Sequence, residues 1–198
     1  MSTNNISRVC VFCGSSPGTD PAYLAAARGL GECLASRGLG LVYGGSNVGI
    51  MGAVAEGALK QKGDVFGVVP SAFADEVGHP QLTEQYVVPT MHDRKKKMFD
   101  LSDAFVVLPG GFGTLEEMFE ILTWGQIGLH TKPIGIMNIA GYFDALLSFM
   151  DSAVLNRFVA QPHRDNLLVD RSPASLLDRL GEHRPIVTEK WLDRSKSD

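Results

Sequence analysis

Asp103-Ala104-Phe105-Val106-Val107-Leu108-Pro109-Gly110-Gly111-Phe112-Gly113-Thr114-Leu115-Glu116-Glu117 reads as a strand, a glycine turn and the start of a helix. The apolar run over 104–108 is continuous rather than alternating, as in a strand covered on both faces. Working outward, the same unit recurs along the chain. Strands are expected over 9–13, 39–43, 64–69, 85–88, 103–108, 134–138 and 166–169. Helices are expected over 21–37, 48–62, 92–101, 113–127, 142–155 and 173–180. Asp20-Pro21 offers an N-cap and a first-turn proline for the first helix. Residues 70–80 read as irregular, and the tail after 184 as peripheral. Short apolar strands alternating with helices predict a mainly parallel sheet with helices on both faces. One doubly wound, Rossmann-like α/β domain over 1–198 is expected, with its core over about 8–182.

Composition narrows the function. With 18 Lys+Arg against 22 Asp+Glu the formal charge is −4, which argues against a nucleic-acid partner. Hydrophobic residues make up 44% and charged residues 20%, enough to fill a core. Three cysteines rule out a disulfide scaffold. No apolar run reaches the ~18 residues of a membrane span. The first eight residues carry no secretory pattern, so a cytoplasmic location is expected.

Glycine is the informative excess, at 22 residues. Three expected strand-to-helix turns are rich in it: Cys13-Gly14-Ser15-Ser16-Pro17-Gly18, Tyr43-Gly44-Gly45-Ser46-Asn47-Val48-Gly49 and Pro109-Gly110-Gly111-Phe112-Gly113-Thr114. A parallel sheet places all three at its carboxyl edge, where such folds bind ligands. Glycine lets backbone N–H groups face a ligand, and a following helix N-terminus adds unpaired donors and partial positive charge. One such turn can need glycine for steric reasons alone. Three together favour a phosphate or nucleotide ligand, with Gly14, Ser15, Gly44, Gly45, Gly110 and Gly111 as candidate contacts. The turns contain neither G-x-G-x-x-G nor G-x-x-x-x-G-K-[ST], so neither an NAD site nor a Walker-type site is expected.

Two charged constellations remain. Thr114-x-x-Glu117 fits a capping box, in which the glutamate reaches back to its own helix terminus. Alternatively, the Glu117 carboxylate faces the sugar of a bound nucleotide. The run Met91-His92-Asp93-Arg94-Lys95-Lys96-Lys97-Met98 reads by default as a solvated helix face. Four consecutive cations nevertheless spread around a helix, so one or two could point inward, and an arginine beside a phosphate site offers bidentate recognition.

Pro109 to Glu117 fits P-G-G-x-G-T-x-x-E, and Met91-His92-Asp93-Arg94-Lys95 fits M-H-x-R-K. In that order and spacing they resemble the Lonely Guy family of cytokinin riboside 5′-monophosphate phosphoribohydrolases, long labelled lysine decarboxylases. The resemblance spans roughly 9–169 and includes Phe12-Cys13-Gly14-Ser15-Ser16 and Trp124-Gly125-Gln126-Ile127-Gly128. It implies hydrolysis of N6-modified adenosine 5′-monophosphates, with AMP as a further substrate, to free base and ribose 5-phosphate. It implies Arg94 and Glu117 as the catalytic pair. Substrate contacts would fall on Glu76, Arg94, Lys95, Gly111, Phe112, Gly113, Thr114, Leu115, Glu116, Glu117 and Thr123. A homodimer or larger assembly, with its active site near the subunit interface, is implied.

Glycosidic cleavage builds positive charge on the sugar, which a carboxylate stabilises. An arginine is a poor proton donor, so Arg94 suits electrostatics and positioning. A carrier of a phosphorylated cofactor, such as molybdenum cofactor, is the competing reading, but a carrier has no need of the Arg94 and Glu117 pair. Lysine decarboxylation would call for pyridoxal phosphate on a lysine; no residue is marked for that, and Lys95-Lys96-Lys97 read as facing solvent. The five histidines, His79, His92, His130, His163 and His183, lack ligand spacing, so no metal or resident cofactor is expected. Cys10 and Cys13 fall on opposite faces of one strand and read as small core residues, and Cys33 likewise. Met51, Met98, Met118 and Met137 read as core, with one of them free to line a purine pocket. Trp124 reads as a packing or interface aromatic.

Overall fold

A computed structural model describes residues 5–74 and 81–184. In chain order they form β1 (Arg8–Phe12), α1 (Pro21–Ser36), β2 (Gly40–Tyr43), α2 (Gly49–Lys60), β3 (Val65–Pro70), β4 (Glu84–Val88), α3 (Met91–Leu101), β5 (Ala104–Val107), α4 (Phe112–Gln126), β6 (Ile134–Met137), α5 (Asp144–Leu155), α6 (Gln161–Asp165), β7 (Leu167–Asp170) and α7 (Pro173–Glu182). Single 3-10 turns cover Ser71–Phe73 and Ile139–Gly141. The strands make one sheet of order β4-β3-β2-β1-β5-β6-β7, parallel throughout. β1 is central, with Val9 opposite Leu41 on one side and Ala104 on the other. The chain steps outward through β2, β3 and β4, then returns to β5 on the far side of β1. That reversal opens a crevice beyond the ends of β1 and β5.

Strand residues alternate between two cores. Val9, Val11 and Cys13 pack with Leu30, Leu34, Val54 and Leu176 on one face. Cys10, Phe12 and Phe105 pack with Met98, Met118 and Phe143 on the other. Cys10 and Cys13 thus point to opposite faces, and burial pushes both thiols well above their ordinary range. Trp124 packs edge-on against Phe99 at 5.2 Å.

Helix starts follow local chemistry. Asp20 accepts from Ala22 N–H at 2.8 Å ahead of Pro21, as expected. Ser172 caps α7. Two differences matter. The short α6 is not in the sequence reading; with five residues it lacks a periodic pattern to betray it. The capping box at Thr114 and Glu117 does not form, because α4 starts at Phe112, earlier than the expected 113, with Gly111 as its cap residue and no side-chain cap. Thr114 and Glu117 are interior helix positions, and the box that does form is Thr90 with Asp93 at the start of α3.

The helices α1 and α2 cross with backbones in contact, which sets the positions of the first two glycine turns. A Cβ on Gly31 would overlap Val54 O, and one on Gly57 would overlap Arg28 O. Alanine adds about 1 kcal/mol of helix propensity, but overpacking against a backbone that cannot rotate away costs about 1–3 kcal/mol. Gly31→Ala should therefore lower stability by up to about 2 kcal/mol, whereas Gly29→Ala, with open space around it, should raise it by up to about 1 kcal/mol. Denaturant unfolding of the two variants measures the opposed signs.

Candidate active site

The three glycine turns meet at the carboxyl edge, around a cavity of about 770 Å³. That lies within the roughly 300–1,000 Å³ of small-molecule sites. Gly14 and Ser15 line it from the turn after β1, Gly44 from the turn after β2, Gly110 and Gly111 from the turn after β5, and Phe112, Gly113 and Thr114 from the first turn of α4. Glu116 and Glu117 line it from α4, and Arg94 and Lys95 from α3. Three sequence candidates fall outside the lining: Gly45 is buried behind Gly44 against Val69, Leu115 packs toward the second core, and Thr123 is exposed further along α4. Glu76 lies outside the described residues.

Arg94 and Glu117 form a buried ion pair, each 7% exposed, with Nη1 donating to Oε1 at 2.5 Å. Arg94 Nε donates to Val68 O at 3.1 Å, which ties the guanidinium to the end of β3. The other arm passes Gly44, where any Cβ would collide with Nη2. Glycine in the second turn is therefore required by this arginine's close approach. Glu117 shares the inward stripe of α4 with Thr114, Met118 and Ile121, at i, i+3, i+4 and i+7. Arg94 shares that of α3 with Met98. Burial pushes the Glu117 carboxyl above its ordinary value, and the facing Arg94 opposes that rise without cancelling it.

Lys95 corrects the reading of its run as solvent-facing. Its side chain is turned inward, and Nζ donates to Glu116 and Glu120. Burial would lower its pKa, but the two carboxylates outweigh that and raise it. A lysine held so firmly as a cation does not suit imine chemistry, which needs a free amine. Lys96 stays in solvent, and Lys97 lies over the Tyr86 ring at 4.3 Å.

The start of α4 supplies anion donors. Gly111, Phe112, Gly113 and Thr114 N–H groups donate to no protein acceptor among the described residues, and the first turn of α4 carries no acidic side chain. The sequence reading missed several lining residues: Tyr23, Ser46, Phe73, Met91 and Tyr142. Met51 also lines the cavity, while Met98, Met118 and Met137 are core. Tyr142 carried no motif, yet its hydroxyl donates to Gly110 O at 2.7 Å. Among the described residues, no group of three or more His, Cys, Asp or Glu side chains could hold a metal ion.

A family profile described as "Possible lysine decarboxylase" matches residues 51–180. A relative from Oryza sativa subsp. japonica, "Probable cytokinin riboside 5'-monophosphate phosphoribohydrolase LOGL5", is 47% identical over 179 residues, 90% of this chain and 73% of its own. "Cytokinin riboside 5'-monophosphate phosphoribohydrolase LOG3" of Arabidopsis thaliana is 41% identical over 186 residues, 93% of this chain and 86% of its own. The chain belongs to the Lonely Guy family. Among solved structures, this Lonely Guy chain is similar to the molybdenum cofactor carrier protein of Chlamydomonas reinhardtii, with TM-score 0.68 and 21% identity over 87% of this chain and 96% of that one. It is also similar to the molybdenum cofactor binding protein of Rippkaea orientalis, with TM-score 0.67 and 24% identity over 86% and 93%. At those identities the likeness is one of fold.

A buried pair broken on one side leaves an uncompensated charge, which costs about 3–5 kcal/mol, whereas replacing both partners can be near neutral. Arg94→Met and Glu117→Leu should each destabilise this Lonely Guy protein by that order, and the double variant by less than either. Additive losses in denaturant unfolding would show that the two side chains are not coupled.

Proposed function

We propose that the protein hydrolyses the N-glycosidic bond of N6-modified adenosine 5′-monophosphates, and of AMP, to free base and ribose 5-phosphate. The observation that carries the reading is the buried Arg94–Glu117 pair placed in one cavity with the unpaired N–H groups opening α4. The 47% and 41% identical relatives, named for this activity, support it.

In this reading the 5′-phosphate sits on Gly111, Phe112, Gly113 and Thr114 N–H, with the helix terminus favouring its charge. Glu117 faces the sugar C1′. As the C1′–N9 bond breaks, the bonding pair leaves with the base and positive charge develops on the ribose, where the carboxylate stabilises it. Water adds its hydroxyl to C1′, and its other proton ends on the released base. Arg94 keeps its charge throughout, holding Glu117 in place and offering an N–H to the phosphate or the leaving base. Phosphate binding, remote from the broken bond, supplies orientation at the reacting carbon.

A homodimer is part of the proposal. Phe119 on α4, Phe149 and Leu155 on α5, and Phe158 are large apolar side chains left in water by one copy. No helix among the described residues is long and apolar enough to cross a membrane. The carrier reading has the fold likeness behind it and no observation at the site in its favour.

Chromatography of free base tests the activity. Wild type should release base from AMP and isopentenyladenosine monophosphate, and far more slowly from the nucleosides. Glu117→Gln should cut kcat by about 10²–10³ with a smaller change in KM. No base from either nucleotide would end the proposal. The pH profile is a separate check. Burial favours the neutral carboxyl of Glu117, so its proton is retained to higher pH than usual, and the active carboxylate is lost sooner on acidification. The acid limb of kcat/KM should therefore lie above the ordinary glutamate value of about 4.3.

A further inference from the structure

The segment after β6 is built around a strained turn. Ala140 has φ of 51° and Gly141 φ of 72°. A non-glycine residue in that region is held there by its surroundings. Asn138, buried, supplies the brace: its side-chain oxygen accepts from Phe143 N–H at 2.9 Å, and its amide donates to Asp144 Oδ1 at 2.6 Å. Its own N–H donates to Asp170 O at 2.8 Å, which ties the turn to β7. The product of this bracing is the placement of one side chain. The Tyr142 ring sits edge-on to Tyr23 at 5.6 Å and to Phe143 at 4.9 Å, and its hydroxyl reaches Gly110 O.

Gly110 and Gly111 share a peptide plane with glycine on both sides. With no Cβ at either end, that plane can rotate about its Cα–Cα axis at little cost. The peptide is trans, so its C=O and N–H point in opposite directions. Whatever holds Gly110 O therefore sets the direction of Gly111 N–H. The preceding carbonyl is fixed in the same way, since Gly14 N–H donates to Pro109 O at 3.0 Å. Two successive carbonyls of the turn are engaged by protein donors, and the N–H groups that follow are free.

We propose that Tyr142 is a positioning residue: by holding Gly110 O it locks the Gly110–Gly111 peptide and keeps the Gly111 N–H available to the phosphate of the substrate. The inference rests on the reading of α4's start as the phosphate site, and it goes further by assigning the orientation of that site to a hydroxyl 32 residues away in sequence. Tyr142 acts through Gly111, not on the reacting atoms.

Tyr142→Phe keeps the ring and its packing and removes only the hydroxyl. The KM for AMP and the Kd for ribose 5-phosphate, the latter by calorimetry, should each rise about five- to tenfold, less than the loss of a whole hydrogen bond to an anion because the freed peptide still samples the donating orientation. At saturating AMP, kcat should stay within about twofold, since the reacting groups are untouched. Adenosine, which has no phosphate to lose, should be hydrolysed at the wild-type rate. The Gly111 amide resonance, sharp in the wild type, should broaden in the variant as the peptide samples both orientations. Unchanged ribose 5-phosphate affinity in Tyr142→Phe would overturn the inference, as would an equal loss on AMP and adenosine. Failure of the underlying reading looks different: wild type itself would then treat AMP and adenosine alike.

Discussion

Two opposite charges removed from water, Arg94 and Glu117, constrain the arrangement around them. Neither is tolerable there alone, because an unpaired buried charge costs several kcal/mol. Each comes from a different helix, so the pair joins α3 to α4 across the carboxyl edge of the sheet. Val68 O holds the guanidinium from β3, and the missing side chain of Gly44 makes room for it beside β2. Three elements, α3, α4 and β3, are thus joined through one guanidinium. The electrostatic consequence is local: a carboxyl kept out of water, its proton affinity raised by burial, beside a cation that favours its ionised form.

Around that pair the glycine turns divide their backbone groups by polarity. Carbonyls of Pro109 and Gly110 face protein donors, while the N–H groups from Gly111 to Thr114 are left without protein partners. Side chains cap three helix starts, Asp20 on α1, Thr90 on α3 and Ser172 on α7, while α2, α4, α5 and α6 begin without one. The absence of such a cap at Gly111 leaves α4 less stabilised at its start and open to an anion. Phosphate recognition in this reading is therefore mainly a backbone property, and the cation nearby, Lys95 of α3, is already engaged with Glu116 and Glu120 of α4.

Much of this was legible in the chain. Continuous apolar strands, the Asp20-Pro21 helix start and three glycine turns lead directly to a parallel sheet with a ligand edge, because those signals act over a few residues. The charged positions were harder. A capping box at Thr114 and Glu117 is a sound local inference that fails because α4 begins at Phe112, which makes both residues interior. The working box, Thr90 with Asp93, sat unused in the same sequence. A signal for Glu117 was present: it interrupts an otherwise buried stripe at 114, 118 and 121. The same holds for Arg94 beside Met98 on α3. Lys95 was misread because its partners, Glu116 and Glu120, lie on another helix.

What the chain by itself determined is therefore most of its elements, the parallel class of its sheet and the family motifs, all of which depend on neighbours within one or two turns of backbone. Tertiary structure alone decided which of four consecutive cations is buried, that Glu117 faces an arginine rather than its own helix terminus, and that Tyr142 reaches Gly110. Those contacts join residues 23 and 32 positions apart. They exist because β5 returns to the side of β1 and β6 follows it, which brings α3, α4 and the turn after β6 around one crevice. No local propensity encodes that convergence; it follows from the packing of the whole sheet.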